Sequence, residues 1–373
     1  MKIALDATPL FGRFGGIENA LWQTIRALHE LDLSHEFDVF VPLDAPDSPL
    51  SKANWQWRRL AFEGRNKARR IAWQQLELPR LLAREGFDLL HATNYVMPLW
   101  SPVRTVVSIP DLIALDFPRF ALRANRLHYR ALLPQTLKRA DVLLASTPRG
   151  RDAIRRRVRG ARVLVAPLGV EPAWFEPVSG RELEAVRDKF DLPDRFLFYA
   201  GNFEPKKNLP HLIQAVASLG NNAPELVLAG GIKPWRELEQ SRLRARFLGF
   251  VSQSELRVLM SACRVFCFPS LAEGFGLPVL EALACGARVV ASTQVPIAGL
   301  ESVARTPNPR FSRSIAKSIE VALDDDSFEA TRARDFARGF SWQQTARVWA
   351  RSYTLNDERP LGHGLPCPRN KAW

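Results

Sequence analysis

The sequence VFCFPSLAEGFGLPVLE, at Val265–Glu281, combines an apolar run, a glycine-rich turn and the beginning of a helical pattern. The apolar run is typical of a buried strand. The glycines let the backbone approach a ligand closely, and Pro278 suits a first helical turn, where no N–H is needed. Because N–H groups and a helix N-terminus then face one point, the turn is predicted to bind phosphate. With Glu273 and Glu281 on either side of the turn, the segment predicts a nucleotide-sugar site.

Short apolar runs alternate with amphipathic helical patterns on both sides of this segment. The predicted strands are Lys2–Ala7, Asp38–Val41, Asp88–His91, Thr105–Ile109, Val142–Ser146, Val163–Ala166, Arg195–Ala200, Glu225–Ala229, Arg246–Leu248, Val265–Pro269 and Arg288–Ala291. The predicted helices are Ile17–Leu31, Gln74–Glu85, Ala124–Arg139, Asn208–Leu219, Gln253–Ala262, Pro278–Ala284 and Arg313–Leu323. Such alternation predicts an α/β fold with mostly parallel sheets. A stretch rich in Pro and Gly at Pro167–Pro177 separates two Rossmann-like, doubly wound domains, with a cleft between them.

Composition limits the classes of protein to which the chain could belong. Its 373 residues suffice for two ordinary domains, and its net charge of +13 favours an anionic partner or surface. The first residues, MKIALDATPL, are typical of a strand rather than a signal peptide, and no apolar run approaches the ~20 residues of a membrane span. The four cysteines lack zinc spacing, so a reduced cytoplasmic location is expected. No nucleic-acid-binding motif is present, and no such partner is expected.

Two segments concentrate the positive charge. In the first, Trp55–Trp73, basic residues are interleaved with aromatic ones. It could lie on an anionic membrane, which would make the protein peripheral on the inner face of the plasma membrane. It could equally be a solvated helix face, which is the usual outcome for a run of charge. The second segment, Arg149–Arg162, holds seven arginines and one acid.

Two further turns could approach the same ligand. Gly15 and Gly16 follow the first predicted strand and begin a helix, so their N–H groups could hold an anion. A flexible loop with a helix cap is the alternative. Lys206 and Lys207 lie in the turn before a helix of the second domain, where a lysine could stabilise a leaving pyrophosphate.

The strings EGFGLPVLEALACG and YAGNFEPKKNLPHLIQAV resemble motifs of the retaining glycosyltransferase family 4, the "glycosyl transferases group 1", which have the GT-B fold. The resemblance covers roughly residues 1–352. It implies that Glu273 lies at the donor sugar, that Glu281 holds the nucleotide ribose and that Lys207 binds phosphate. It also implies donor contacts from a further set of residues: Gly15, Gly16, Asn202, Lys206, Phe250, Val251, Phe275, Gly276 and Leu277.

One segment departs from the family pattern. SIPDLIALDFP, at Ser108–Pro118, is similar to a family segment whose histidine touches the donor sugar, but this chain has Pro110 there. A proline side chain cannot donate, accept or titrate. Asp111 could still reach a sugar hydroxyl. His91, at the end of the preceding predicted strand, could face the same cleft or could be held by the backbone.

The resemblance also implies a domain organisation. Residues 1–168 would bind the acceptor, and residues 178–340 would bind the nucleotide sugar. A C-terminal helix, residues 341–355, would cross back to the first domain. The tail, residues 356–373, is rich in Pro and Gly and is expected to be disordered.

The implied activity is hexosyl transfer with retention, without metal or cofactor, because Lys207 and a helix dipole stabilise the leaving group. A GDP-mannose-like donor is ranked first and a UDP-sugar second. The expected acceptor is a glycan or a lipid-linked glycan of a bacterial surface polysaccharide. Two alternatives remain open: a protein that binds nucleotide sugar or glycan without transfer, and another GT-B enzyme, such as an epimerase or a phosphorylase.

Overall fold

The structure is a computed structural model that describes residues 1–12, 15–118, 123–220, 223–231 and 245–355, without the side chains of 123–126. The tail predicted to be disordered, 356–373, lies outside the described residues. Within them, two α/β domains follow one another along the chain, and each is built on a fully parallel sheet. The prediction of an α/β fold with two doubly wound domains is therefore confirmed.

The first domain holds a seven-stranded sheet of order β3-β2-β1-β4-β5-β6-β7. Its strands are β1 (Lys2–Asp6), β2 (Glu36–Val41), β3 (Trp55–Arg59), β4 (Leu89–Ala92), β5 (Arg104–Ile109), β6 (Val142–Ala145) and β7 (Val163–Val165). Its helices are α1 (Gly16–Glu30), α2 (Lys67–Ala72), α3 (Leu78–Arg84), α4 (Ile113–Asp116), α5 (Arg123–Arg139) and α6 (Pro148–Arg157). A single π-helical turn, Trp73–Glu77, joins α2 to α3.

The basic segment that begins at Trp55 starts as a strand, not as a helix. Trp55 is buried and stacks on Phe37 with ring centroids 4.0 Å apart. Arg58 donates to Asp38 at 2.8 Å and to Glu85 at 2.6 Å. The aromatic rings therefore belong to the core of the sheet edge, and the charge of Arg58 is neutralised within the fold.

The second domain holds a five-stranded sheet of order β10-β9-β8-β11-β12. Its strands are β8 (Phe196–Ala200), β9 (Glu225–Ala229), β10 (Ala245–Gly249), β11 (Val265–Phe268) and β12 (Val289–Ala291). Its helices are α7 (Gly180–Phe190), α8 (Leu209–Ser218), α9 (Gln253–Ala262), α10 (Leu277–Ala284), α11 (Ser312–Leu323) and α12 (Ala330–Arg338). The sequence did not predict α6, α7 or α12, because these helices bury only one or two side chains each.

A last helix, α13 (Trp342–Thr354), packs on α1 and so lies on the first domain. Arg104 of β5 donates to the carbonyl of Tyr353 at 3.1 Å and to that of Ser352 at 3.3 Å, near the helix C-terminus. Positive charge at this end also stabilises the helix dipole. The chain therefore passes between the domains twice, first after β7 and again before α13.

The carboxyl ends of the two sheets face each other and are in contact. Ser146 donates to the carbonyl of Pro110 at 2.7 Å and lies 3.3 Å from that of Gly274. Arg149 donates to Gln294 across the same boundary at 3.1 Å. In open parallel sheets ligands bind outside these strand ends, so this boundary is where the site is to be sought.

Candidate active site

The turn between β11 and α10 requires its two glycines. Gly276 has φ +108°, and a Cβ there would lie 2.7 Å from Cγ1 of Val295. A Cβ on Gly274 would lie 2.8 Å from a carboxylate oxygen of Asp111, in the other domain. The side chains of Phe275 and Leu277 are buried, so the turn offers mainly its backbone to the cleft. This is the form that the sequence predicted for a phosphate-binding turn.

Lys207 and Glu273 form an ion pair in this turn. Nζ of Lys207 donates to Oε1 of Glu273 at 2.6 Å, and the two side chains are only 14% and 10% exposed. The same Nζ lies 4.7 Å from the ring centroid of Phe268, at the end of β11. The structure therefore brings together the predicted phosphate ligand and the predicted sugar ligand, whose positions are 66 residues apart.

Asn208, which the sequence analysis did not select, holds the lysine turn in place. It adopts a left-handed conformation with φ 63° directly after Lys207. Its buried amide donates to the carbonyls of Pro269 at 3.0 Å and Pro309 at 2.7 Å. Asparagine is one of the few residues that accept this conformation, and its position before a helix was the available signal.

Lys206 adds a second positive charge beside the pair. Its Nζ lies 3.3 Å from Glu204. Burial alone would lower the pKa of Lys206, but the carboxylates of Glu204, Glu273 and Asp111 outweigh burial and raise it. Lys206 is therefore a permanent cation at the boundary between the domains, on the same side as Lys207.

Asp111 is held from the first domain by Tyr95. The Tyr95 hydroxyl donates to Oδ2 of Asp111 at 2.6 Å, and the Ile113 N–H donates to Oδ1 at 2.8 Å. Burial raises the pKa of Asp111, although both hydrogen bonds and Lys206 oppose that rise. Tyr95 itself has φ 63°, which is rare for a bulky residue and typical of functional sites. No residue pattern around Tyr95 predicts this conformation.

Glu281 lies one turn into α10 and differs from Glu273 in having no cation beside it. Burial, with a smaller contribution from Glu171, raises the pKa of Glu281 to about 8. No hydrogen bond joins its carboxylate to another of the described side chains. A half-buried acid with no side-chain partner in the described part of the chain can accept hydrogen bonds from hydroxyl groups of a ligand.

A second edge of the cleft gathers the residues predicted to hold the base. A Cβ on Gly230 would lie 2.0 Å from the carbonyl oxygen of Gly201, so the ends of β8 and β9 can approach only because Gly230 lacks a side chain. A Cβ on the neighbouring Gly231 would lie 3.6 Å from the Phe250 ring and 3.9 Å from the Asn202 amide oxygen. Phe250 is 80% exposed, which leaves its ring face free for stacking.

Val251, next to Phe250, packs partly against the core instead. Of the two residues predicted to contact the base, only Phe250 is therefore largely exposed.

Gly15 and Gly16 lie at the N-terminus of α1, and a Cβ on either would meet no atom within 4 Å. The space in front of this helix end is therefore open. The loop before it is fixed by Glu18, a buried residue that the sequence analysis missed. Its carboxylate accepts from the N–H groups of Phe11 at 2.7 Å and Gly12 at 2.5 Å.

His91 lies apart from these groups. Its ring is fully buried, with Nδ1 2.9 Å from the Tyr353 hydroxyl and Nε2 2.9 Å from the Ser108 hydroxyl. Trp349 of α13 packs edge-on against it, with centroids 4.2 Å apart. Burial lowers the pKa of His91 to about 3. The imidazole is therefore a neutral part of the packing between β4 and α13 and does not face the cleft.

No group of three metal-ligating side chains occurs within the described ranges. At the boundary between the domains the structure brings together Lys206, Lys207, Glu273 and Asp111 with the glycine turn that precedes α10. Glu281 belongs to the helix that begins at this turn. Such a set of charges can hold a diphosphate and the hydroxyl groups of a sugar and a ribose.

Comparison with known proteins identifies the family of the chain. A family model described as "Glycosyltransferase Family 4" matches residues 14–174, and one described as "Glycosyl transferases group 1" matches residues 181–305. The two matches adjoin and divide the chain where the structure divides it. The chain belongs to this glycosyltransferase family, as the sequence motifs predicted.

Three curated relatives are glycosyltransferases by name. The serotype-specific mannosyltransferase WbdA of Escherichia coli is 30% identical over 329 residues, which are 80% of this chain and 40% of that protein. The chain thus spans about two fifths of that relative. The O-antigen chain mannosyltransferase B of Escherichia coli is 29% identical, with coverage of 88% and 92%. The GDP-mannose:cellobiosyl-diphosphopolyprenol alpha-mannosyltransferase of Komagataeibacter xylinus is 26% identical, with coverage of 75% and 74%.

Among solved structures, sucrose-phosphate synthase from Thermosynechococcus elongatus superposes with a TM-score of 0.74 at 22% identity, covering 95% of this chain and 98% of that one. At this identity the likeness establishes the fold alone. The fold is GT-B, as expected from the sequence.

Proposed function

We propose that this chain is a retaining mannosyltransferase that uses GDP-mannose and acts in the synthesis of a bacterial surface polysaccharide. The names of its three relatives support the sugar, and one of those names supports the donor. A UDP-sugar is the second candidate donor. The observation that carries the proposal is the buried Lys207–Glu273 pair beside the N-terminus of α10.

In the proposed reaction, charge develops on the leaving diphosphate. Lys207 exchanges its contact with Glu273 for the phosphate oxygens, and the N–H groups of Gly276 and Leu277 face the same oxygens. Preorganised contacts of this kind each contribute about 2–4 kcal/mol to lowering a barrier. No divalent metal takes part, so chelation with EDTA should leave the rate unchanged.

The carboxylates orient the rest of the donor. Glu273, released from Lys207, accepts from the hydroxyls of the mannose, and Glu281 accepts from those of the ribose. Phe250 stacks on the base. The acceptor approaches from the first domain, past Asp111 and the open helix end at Gly15 and Gly16. The acceptor is a glycan or a lipid-linked glycan. Contact of the protein's two domains around the reacting groups excludes water.

The experiment compares Lys207→Met with Lys206→Met, using GDP-mannose and UDP-glucose as donors. Loss of the Lys207 charge should lower kcat by about 10²–10³-fold, the usual effect of removing one such group. Lys206→Met should cost less, because Lys206 pairs with Glu204, whereas Lys207 lies against Glu273 at the turn proposed to hold the diphosphate. Circular dichroism checks folding, and NMR of the product's anomeric proton tests retention. Equal rates for Lys207→Met and wild type would contradict the proposal.

A nucleotide-sugar-binding protein without transfer activity is the second candidate. It is favoured by one observation: Pro110 replaces the family histidine, and His91 is enclosed by Tyr353 and Ser108. This candidate predicts a thermal shift with GDP-mannose but no product. The first candidate predicts both.

A further inference from the structure

Three large apolar side chains of the first domain face outward. Leu76 is 58% exposed, Leu99 is 42% exposed and Trp100 is 61% exposed. Large exposed apolar groups that lie together mark interaction sites rather than ordinary surface.

Hydrogen bonds place these residues on one surface. Gln75, in the π-helical turn beside Leu76, accepts from the Leu99 N–H at 2.9 Å and donates to the Met97 carbonyl at 3.1 Å. Arg139, the last residue of α5, donates to the Leu99 carbonyl at 2.6 Å. The π-helical turn, the loop before β5 and the end of α5 are therefore neighbours.

Three exposed cations lie on the same elements: Arg80, one helical turn after Leu76, and Lys138 and Arg139 at the end of α5. Arg80 and Lys138 form no ion pair with any residue for which the structure gives a position. The nearby Glu77 is already paired with Arg69 at 2.9 Å. The surface formed by Leu76, Arg80, Leu99, Trp100, Lys138 and Arg139 is named here the Trp100 face, and it carries a net positive charge.

We propose that the Trp100 face docks on the surface of an anionic phospholipid bilayer, with Leu76, Leu99 and Trp100 inserted and the three cations at the headgroups. Interfacial binding increases with both buried apolar area and attraction to anionic lipid. Tryptophan is favoured at the interface because its ring is apolar and its N–H is polar. A protein partner fits less well, since the centre of a protein interface is depleted of lysine.

None of the described helices has the length and apolarity needed to span a membrane. Docking on the surface is thus the mode of contact to which these residues are suited. This surface differs from the one expected from the sequence, because Trp55 and Trp73 of the basic segment are buried.

The Trp100 face also lies within reach of the proposed site. Tyr95, which holds Asp111, precedes Trp100 by five residues, which span at most ~18 Å of extended chain. An acceptor anchored in the same bilayer could therefore present its sugar to the cleft. This step rests on the proposed function, whereas the docking itself does not.

The test is sedimentation of the full chain with vesicles of phosphatidylcholine, with or without phosphatidylglycerol. Wild type should bind only the anionic vesicles. The double variant Leu99→Ser/Trp100→Ser should bind them at least tenfold more weakly. The triple variant Arg80→Gln/Lys138→Gln/Arg139→Gln should bind about 100-fold more weakly, at roughly fivefold per cation. The control is Phe311→Ser, which removes an exposed aromatic ring from the second domain and should bind as wild type does.

Equal binding by wild type and the double variant, or no binding to anionic vesicles, would overturn the inference. A dimer that the double variant abolishes would show instead that a second copy covers the face. Transfer to a water-soluble acceptor should be unchanged in both face variants. Loss of vesicle binding with intact transfer thus separates this inference from the proposed activity.

Discussion

The carboxyl edges of the two sheets are built in different ways. In the second domain the edge is mainly backbone: Gly201, Gly230 and Gly276 allow close approaches that no side chain would permit. In the first domain the edge is held by side chains from distant positions. Gln74 donates to Asp6 at 2.7 Å across 68 residues, and Tyr95 donates to Asp111.

The difference shows where the information for each half of the site is located. A backbone edge is signalled by short contiguous strings, because the glycine that a close approach needs is visible in the sequence even when the atom it meets lies elsewhere in the chain. A side-chain edge is encoded in pairs that only the fold brings together. Under the proposed function, the half assigned to the donor diphosphate is thus contained in local motifs, while the half assigned to the acceptor is distributed along the chain.

The largest expected difference between the domains is in their response to pH. Folded His91 has a pKa of about 3 against 6.5 when free, so the first domain should lose stability as pH falls below 6.5. Folded Glu281 has a pKa of about 8 against 4.5, so the second domain should lose stability as pH rises from 4.5 to 8. At about 1.4 kcal/mol per pKa unit, each full effect is on the order of 5 kcal/mol.

Hydrogen exchange of peptides from β4 and α10 between pH 4 and pH 8.5, each corrected for the intrinsic exchange rate, measures the two responses separately. His91→Gln should remove the loss of protection of β4 at low pH and leave the behaviour of α10 unchanged. Glu281→Gln should remove the loss of protection of α10 at high pH and leave the behaviour of β4 unchanged. The same direction of pH response in both peptides would refute the contrast.

Gly276→Ala tests the backbone-built edge. The alanine must adopt a left-handed φ, at about 1–2 kcal/mol, and its Cβ must displace Val295, at about 1–3 kcal/mol. Urea unfolding should therefore show a loss of about 2–4 kcal/mol. Gly160→Ala, with φ +76° but open space around it in the first domain, is the matched control and should show the strain alone.

Asn208→Gly removes the two hydrogen bonds to Pro269 and Pro309 but keeps the left-handed conformation. A loss of about 1–3 kcal/mol is expected, with reduced transfer because Lys207 is no longer held. Asn208→Ala should cost about 1 kcal/mol more, since alanine disfavours this conformation. If Asn208→Gly retains the full transfer activity of the wild type, the two hydrogen bonds have no part in placing Lys207.

The smallest effect is expected for Phe250→Ala. The exposed ring contributes little to folding, so stability should change by less than about 0.5 kcal/mol. Loss of stacking on the base, at about 0.5–1.5 kcal/mol, should raise the KM for the donor about two- to tenfold with kcat unchanged. A changed kcat would place the ring nearer the reacting atoms than the base.

These contrasts also explain how much of the fold and of the candidate site the sequence alone could predict. The fold and the Lys207–Glu273 pair were accessible, because each rests on a strand, a turn and a helix in immediate succession. The strand Trp55–Arg59 was not, since its basic and aromatic composition is equally typical of a surface helix. Nor was the burial of His91, which depends on a helix more than 250 residues further along the chain.

The two passages of the chain between the domains run side by side. The Val170 N–H donates to the Phe340 carbonyl at 3.1 Å, and a Cβ on Gly169 would lie 2.2 Å from the Trp342 nitrogen. Two segments joined in this way form a narrow connection, and hinges are a few residues of such connecting segments. We expect any opening of the cleft to pivot at these paired crossings and to separate Asp111 from Gly274.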